Sequence, residues 1–130
     1  MHPVLEFLLL FVVAFGVFIV VDLVWLVVIA RKLYKKYLGY IMTDKVRWGA
    51  ALIFYVIFIA GLVFFAIMPA NNALLAMLYG GLLGFLGYAT YDLTNLATLK
   101  GWPVAVTIID LIWGTSLGAI VSVLTFLIVR

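Results

Sequence analysis

Aspartate opens the same short pattern three times, in Asp22-Leu23-Val24-Trp25, Asp92-Leu93-Thr94-Asn95 and Asp110-Leu111-Ile112-Trp113, each time inside a long apolar stretch. A carboxylate in such a place can hold and release a proton, bind a cation, or act as a general acid or base. An ionised aspartate at the centre of a lone membrane helix costs about 2.5 to 3.5 kcal/mol. Three of them facing lipid would be a heavy load for one small chain, so they are expected to face inward. Asp22 precedes Arg31 by nine positions, Asp92 precedes Lys100 by eight, and Asp110 follows Pro103 by seven. At 1.5 Å of rise per residue, all three then lie about 10 to 14 Å in from the same ends of their helices.

Helical spacing groups further polar or small residues with these acids. Gly84, Tyr88, Tyr91, Asn95 and Thr98 fall on one face with Asp92, and Thr107, Gly114 and Gly118 fall with Asp110. The candidate proton- or ligand-binding residues are therefore Asp22, Asp92, Asn95, Asp110, Tyr88, Tyr91, Trp25, Trp113 and Thr107. Three carboxylates meeting where solvent is scarce cannot all stay ionised without a counter-charge. At least one is expected to keep its proton at neutral pH, unless a cation is bound. Asp22, Asp92 and Asp110 would suit magnesium, calcium or manganese better than zinc or copper, but no EF-hand or Glu-x-x-His spacing supports a metal. The bland alternative is that the acids bond Asn95, Thr94, Thr107, Tyr55 or the indoles of Trp25 and Trp113 and lock helix register, although such bonds average only about 0.6 kcal/mol in membranes.

Other chemistries find little support. The chain has no cysteine and a single histidine, His2, at its start, which removes disulfides, thiolate metal sites and histidine-activated nucleophiles. Ser116 and Ser122 thus read as packing residues. Three classes of function stand. The first is a site that binds or conducts a proton, a cation or a small polar ligand. The second is a membrane-embedded lipid-modifying enzyme or accessory subunit, with an aspartate as acid or base and Arg31, Lys32, Lys35, Lys36 and Lys100 holding an anionic headgroup. The third is an assembly protein whose aspartates only fix packing. No cofactor is expected, and two or more copies could build a shared pathway.

The elements that must position these residues are set by hydropathy. Hydrophobic residues make up 69% of the chain, charged residues 10%, and the mean hydropathy is +1.38, far from the usage of soluble domains. Apolar windows predict four spans at about 3–30, 48–68, 72–98 and 103–128 within one transmembrane domain, 1–130. They must be helical, because every backbone group has to be paired inside lipid. The first segment is acidic early and too long for a cleaved signal, so it is expected to remain as a span. The fold expected is an all-α membrane protein, a compact antiparallel bundle of four transmembrane helices.

Of eight basic residues, six lie between Arg31 and Arg47, against one acid, Asp44. The positive-inside rule makes the 31–47 connection cytoplasmic, with Lys100 on the same side and both termini outside, in a multi-pass inner-membrane arrangement. Leu33, Tyr34, Tyr37, Leu38 and Ile41 recur at helical spacing among the lysines, which predicts a basic amphipathic interfacial helix between spans one and two. That cluster needs no partner beyond membrane lipids, and no nucleic-acid role is expected. Trp48 and Trp102 flank spans and read as interfacial belt residues. Gly80 to Gly84 and Gly114 to Gly118 carry the GxxxG spacing that lets helix backbones approach in lipid, and spans three and four are joined tightly enough to pack as a pair.

The stretch YATYDLTNLATLKGWP at 88–103, with VDLVWL near the start, RKLYKK after the first span and DLIWG in the last, resembles a family of small bacterial four-span integral membrane proteins catalogued as a domain of unknown function. The resemblance covers essentially the whole chain. It implies a four-helix integral membrane protein of a bacterial cytoplasmic membrane, and it implies no activity.

Overall fold

A computed structural model describes residues 2–130. Four helices are long and apolar enough to cross a membrane: α1 Pro3–Leu38, α2 Trp48–Ile67, α3 Ala73–Thr98 and α4 Val104–Val129. They pack against one another as an all-helical bundle, with no strand among the described residues. The ends follow local rules. Pro3 begins α1 where its missing N–H costs nothing, and the His2 imidazole accepts from the Val4 N–H at 3.1 Å, so the lone histidine is a helix cap. Asn72 caps α3 in the same way, its Oδ1 accepting from the Leu75 N–H at 2.9 Å. Between α3 and α4 the chain turns through Gly101 at φ 74°, the left-handed region that favours glycine.

The seam between α3 and α4 is the closest in the molecule, and glycine makes it so. A Cβ on Gly84 would overlap the Gly114 carbonyl, and one on Gly118 would overlap that of Gly80. Gly80 also leaves room for the buried Ser122 side chain. Around this pair the apolar core forms from Leu10, Ala14 and Phe18 of α1, Phe58, Ile59, Leu62 and Val63 of α2, and Leu117 and Val121 of α4. Most other large apolar side chains on α1 and α2 point outward, as lipid-facing surfaces do.

Two of the helices contain wide turns closed by bonds to the fifth preceding residue. In α1 the wide turn covers Leu26–Ala30, with the Arg31 N–H donating to the Leu26 carbonyl; in α2 it covers Leu62–Ile67, with the Met68 N–H donating to that of Val63. Such turns are rare and change which side chains share a face. The second also divides α2 by contact. From Leu62 onward the backbone approaches α1, α3 and α4, whereas Trp48–Gly61 closely approaches α1 alone.

The basic connection differs from its expected form. Arg31–Leu38 is helical and amphipathic, with Arg31, Lys32, Lys35 and Lys36 exposed and Leu33, Tyr34, Tyr37 and Leu38 half-buried, but it continues α1 without a break. Helix ends after Leu38, and Ile41 lies beyond it, exposed in a turn. Nothing in LVVIA marks a helix end, so the backbone runs on through the change from apolar to basic sequence.

Candidate functional site

Asp92 is fully buried and neither carboxyl oxygen has a hydrogen-bond partner. It projects from α3 at Asp110 of α4, also buried, and the two carboxyls lie close enough to act on each other directly. The glycine seam sets this approach: helices whose backbones meet at Gly84 and Gly118 bring residues two turns further along α3, and two turns back along α4, face to face. Asp110 is the better satisfied, because the Tyr34 hydroxyl donates to its Oδ1.

Asp22 enters from α1. It is half-buried, and the Tyr55 hydroxyl of α2 stands 3.5 Å from its Oδ2, at the outer limit of a hydrogen bond. One side chain links it with the other acids: the Tyr88 phenol lies within electrostatic reach of Asp22, Asp92 and Asp110 and of Tyr55. The Tyr88 ring fits there because Gly114 has no side chain, as a Cβ at that position would overlap the ring. Across from Gly114, Phe54 and Phe58 of α2 meet the Tyr88 ring edge to face, with centroids at 6.5 Å and 6.2 Å.

The remaining expected site residues divide. Trp25 and Trp113 are not donors to an aspartate; they stack on each other across α1 and α4, centroids 4.4 Å apart and planes 6° from parallel, and Trp25 sits beside the Tyr34 hydroxyl. Thr107 is buried, and its hydroxyl accepts from the Trp102 Nε1–H at 3.1 Å, away from the acids. That corrects the belt reading of Trp102, which is only 8% exposed and meets Tyr91 edge to face. Trp48, at 69% exposed, has the exposure of a belt residue. Asn95 lies beside Tyr91, and Tyr91 and Thr98 are exposed rather than interior, because α3 has a neighbour on one side only at that level. Among the described residues no three acidic or histidine side chains are arranged to hold a metal ion, so Asp22, Asp92 and Asp110 do not form a metal-ligand set. Arg31, Lys32, Lys35, Lys36 and Lys100 are all exposed, and none of them forms an ion pair with these acids.

Two features were not anticipated. Tyr34 was placed at headgroup level by its lysine neighbours, whereas the continuous α1 and its wide turn direct its hydroxyl to Asp110. The usable signal was YKKY itself, where two tyrosines three residues apart share a helix face turned away from the two lysines. The other is a cleft of about 400 Å³ between α2 and α3, lined by Phe54, Phe58, Gly87, Tyr88 and Tyr91. It lies where the first part of α2 stands off from α3, and no sequence pattern encodes that separation.

Residues 7–127 match the family described as Predicted membrane protein (DUF2177). The chain belongs to this family. Four apolar helices accord with the family description, and the protein is an integral membrane protein. No curated protein and no solved structure matches the chain.

Proposed function

We propose that this protein binds a proton or a monovalent cation at the Asp92–Asp110 pair, with Asp22 and Tyr88 completing the polar site. The reading rests on one observation: Asp92 is removed from solvent with both oxygens unpaired, facing a second carboxyl. Two ionised carboxylates so placed repel each other and lack solvation. A proton held between them removes the repulsion and halves the buried charge, one oxygen donating while the other accepts. A bound cation would do the same by charge neutralisation. Pure register-locking accounts less well for Asp92, since its only polar neighbour is another acid and a bond between the two requires a shared proton.

The basic Arg31–Arg47 stretch supports a cytoplasmic position for that connection and for the carboxylate end of the bundle, with both termini outside and an inner-membrane location. The same lysines are suited to anionic lipid headgroups. A lipid-modifying reaction is the weaker reading, because no histidine, cysteine or activated serine adjoins the acids. Infrared spectroscopy of the reconstituted protein tests the proposal. A protonated-carboxyl band is expected at neutral pH in sodium-free buffer and should be lost in Asp92→Asn with Asp110→Asn. A wild-type spectrum with carboxylate bands alone, unchanged by added alkali cations, would remove the proposal.

A further inference from the structure

The cleft between α2 and α3 and the acids behind it have complementary properties. Its walls are the rings of Phe54, Phe58, Tyr88 and Tyr91, and Gly87 leaves its floor open, with no atom within 4 Å of where a Cβ would stand. Tyr88 is a wall of the cleft and is also the side chain within reach of all three aspartates. The aromatic lining and the acidic groups thus have one side chain in common, Tyr88. Asp92 is wholly buried behind this region, with Asp110 as its neighbour, and does not itself line the cleft.

No basic side chain neutralises this region. The one ion pair among the described residues joins Arg130 to Glu6 at 3.9 Å, at the other end of the bundle. Phe54 and Tyr91 are exposed at the mouth of the cleft, within membrane-spanning helices, so the approach to it is through hydrocarbon. An occupant that satisfies all of these features has an apolar body able to enter from lipid and a delocalised or alkylated positive charge. Aromatic faces attract such a charge through their quadrupoles, carboxylates behind them supply the counter-ion, and about 400 Å³ lies within the roughly 300 to 1,000 Å³ of small-molecule sites. A strongly hydrated inorganic ion has no reason to use an aromatic entrance.

We infer that the α2–α3 cleft is a binding site for lipophilic cations, of the alkylammonium or arylphosphonium type. This deepens the proton- or cation-binding reading and rests on it. The geometry also explains why Gly87 differs from Gly80 and Gly84: it leaves space in the cleft, whereas they bring backbones together.

The test uses the full chain in nanodiscs of zwitterionic lipid, with radiolabelled tetraphenylphosphonium as probe, and tetraphenylborate as an anion of the same shape. Saturable binding of the cation above empty nanodiscs is expected, with no excess of the anion. Gly87→Leu, which places an apolar side chain at the cleft from a position with open space around its Cβ, should weaken cation binding at least tenfold while keeping the protonated-carboxyl infrared band. Asp92→Asn should weaken it comparably with the cleft intact. Equal excess of cation and anion would mark an acyl-chain groove and overturn the inference, as would undiminished binding by Gly87→Leu. A wild-type carboxyl band without cation binding defeats this inference alone; absence of both defeats the proposed function with it.

Discussion

At the residue scale, the acids of this protein are distinguished by what each lacks. Asp110 has the Tyr34 hydroxyl and Asp22 has Tyr55 at long range, but Asp92 has no donor. An unpaired buried polar group costs about 1 to 3 kcal/mol, more if charged, so the Asp92 environment is a standing destabilisation that a ligand can relieve. Tyr34 carries the opposite sign. Tyr34→Phe removes its bond to Asp110 without changing shape and should lower stability to unfolding in detergent or bicelles by about 0.6 to 1.7 kcal/mol, the range for side-chain bonds between membrane helices. A variant as stable as its parent would show that this hydroxyl contributes nothing. Which residues could meet was partly legible in the sequence. The shared spacing of Asp92 and Asp110 from the ends of α3 and α4 placed them together, because both helices end close to those markers. The same arithmetic was unsound for Asp22, since α1 continues seven residues past Arg31 to Leu38. Tyr34 was missed because lysine neighbours dominate any local reading of polarity.

At the scale of elements, one seam and one gap explain the site. The α3–α4 seam was foreseeable: glycines at four-residue spacing on two helices joined by a short connection leave few alternatives. Gly84→Ala drives a methyl group into the Gly114 carbonyl and should cost about 1 to 3 kcal/mol of stability, as overpacking does. Gly87→Ala, one turn onward, meets open space and should be neutral or stabilising. Equal losses at the two positions would contradict the packing described. The gap was not foreseeable. It depends on α2 closing on its neighbours only after Leu62, and the run LVFFAI that forms the wide turn looks like any other apolar helix. Arg130 reinforces that closed end, its Nη1 donating to the carbonyls of Ile67 and Met68 at 3.0 Å and 3.1 Å. In the sequence it was only a lone charge at the C-terminus. At the opposite end, the Tyr40 hydroxyl donates to the Gly101 carbonyl at 2.7 Å and ties the basic connection to the α3–α4 turn.

For the whole molecule, hydropathy alone was enough to give four helical spans, and membership of the family over residues 7–127 agrees with it. The proposed orientation rests on charge. Because the chain has no cysteine, single substitutions report sidedness without background. Thr43→Cys should react with an impermeant maleimide only after cells are opened, and Asn71→Cys should react in intact spheroplasts; the reverse pattern would invert the proposed topology. Shared protonation of two facing carboxyls carries the whole functional account, and it can be read directly. The chain has four aspartates, of which Asp44 lies in the exposed connection and serves as an internal reference. Carboxyl-carbon NMR of aspartate-labelled protein in nanodiscs, titrated with and without Asp110→Asn, should show the Asp92 curve altered by that substitution. An Asp92 curve indifferent to Asp110→Asn would contradict it.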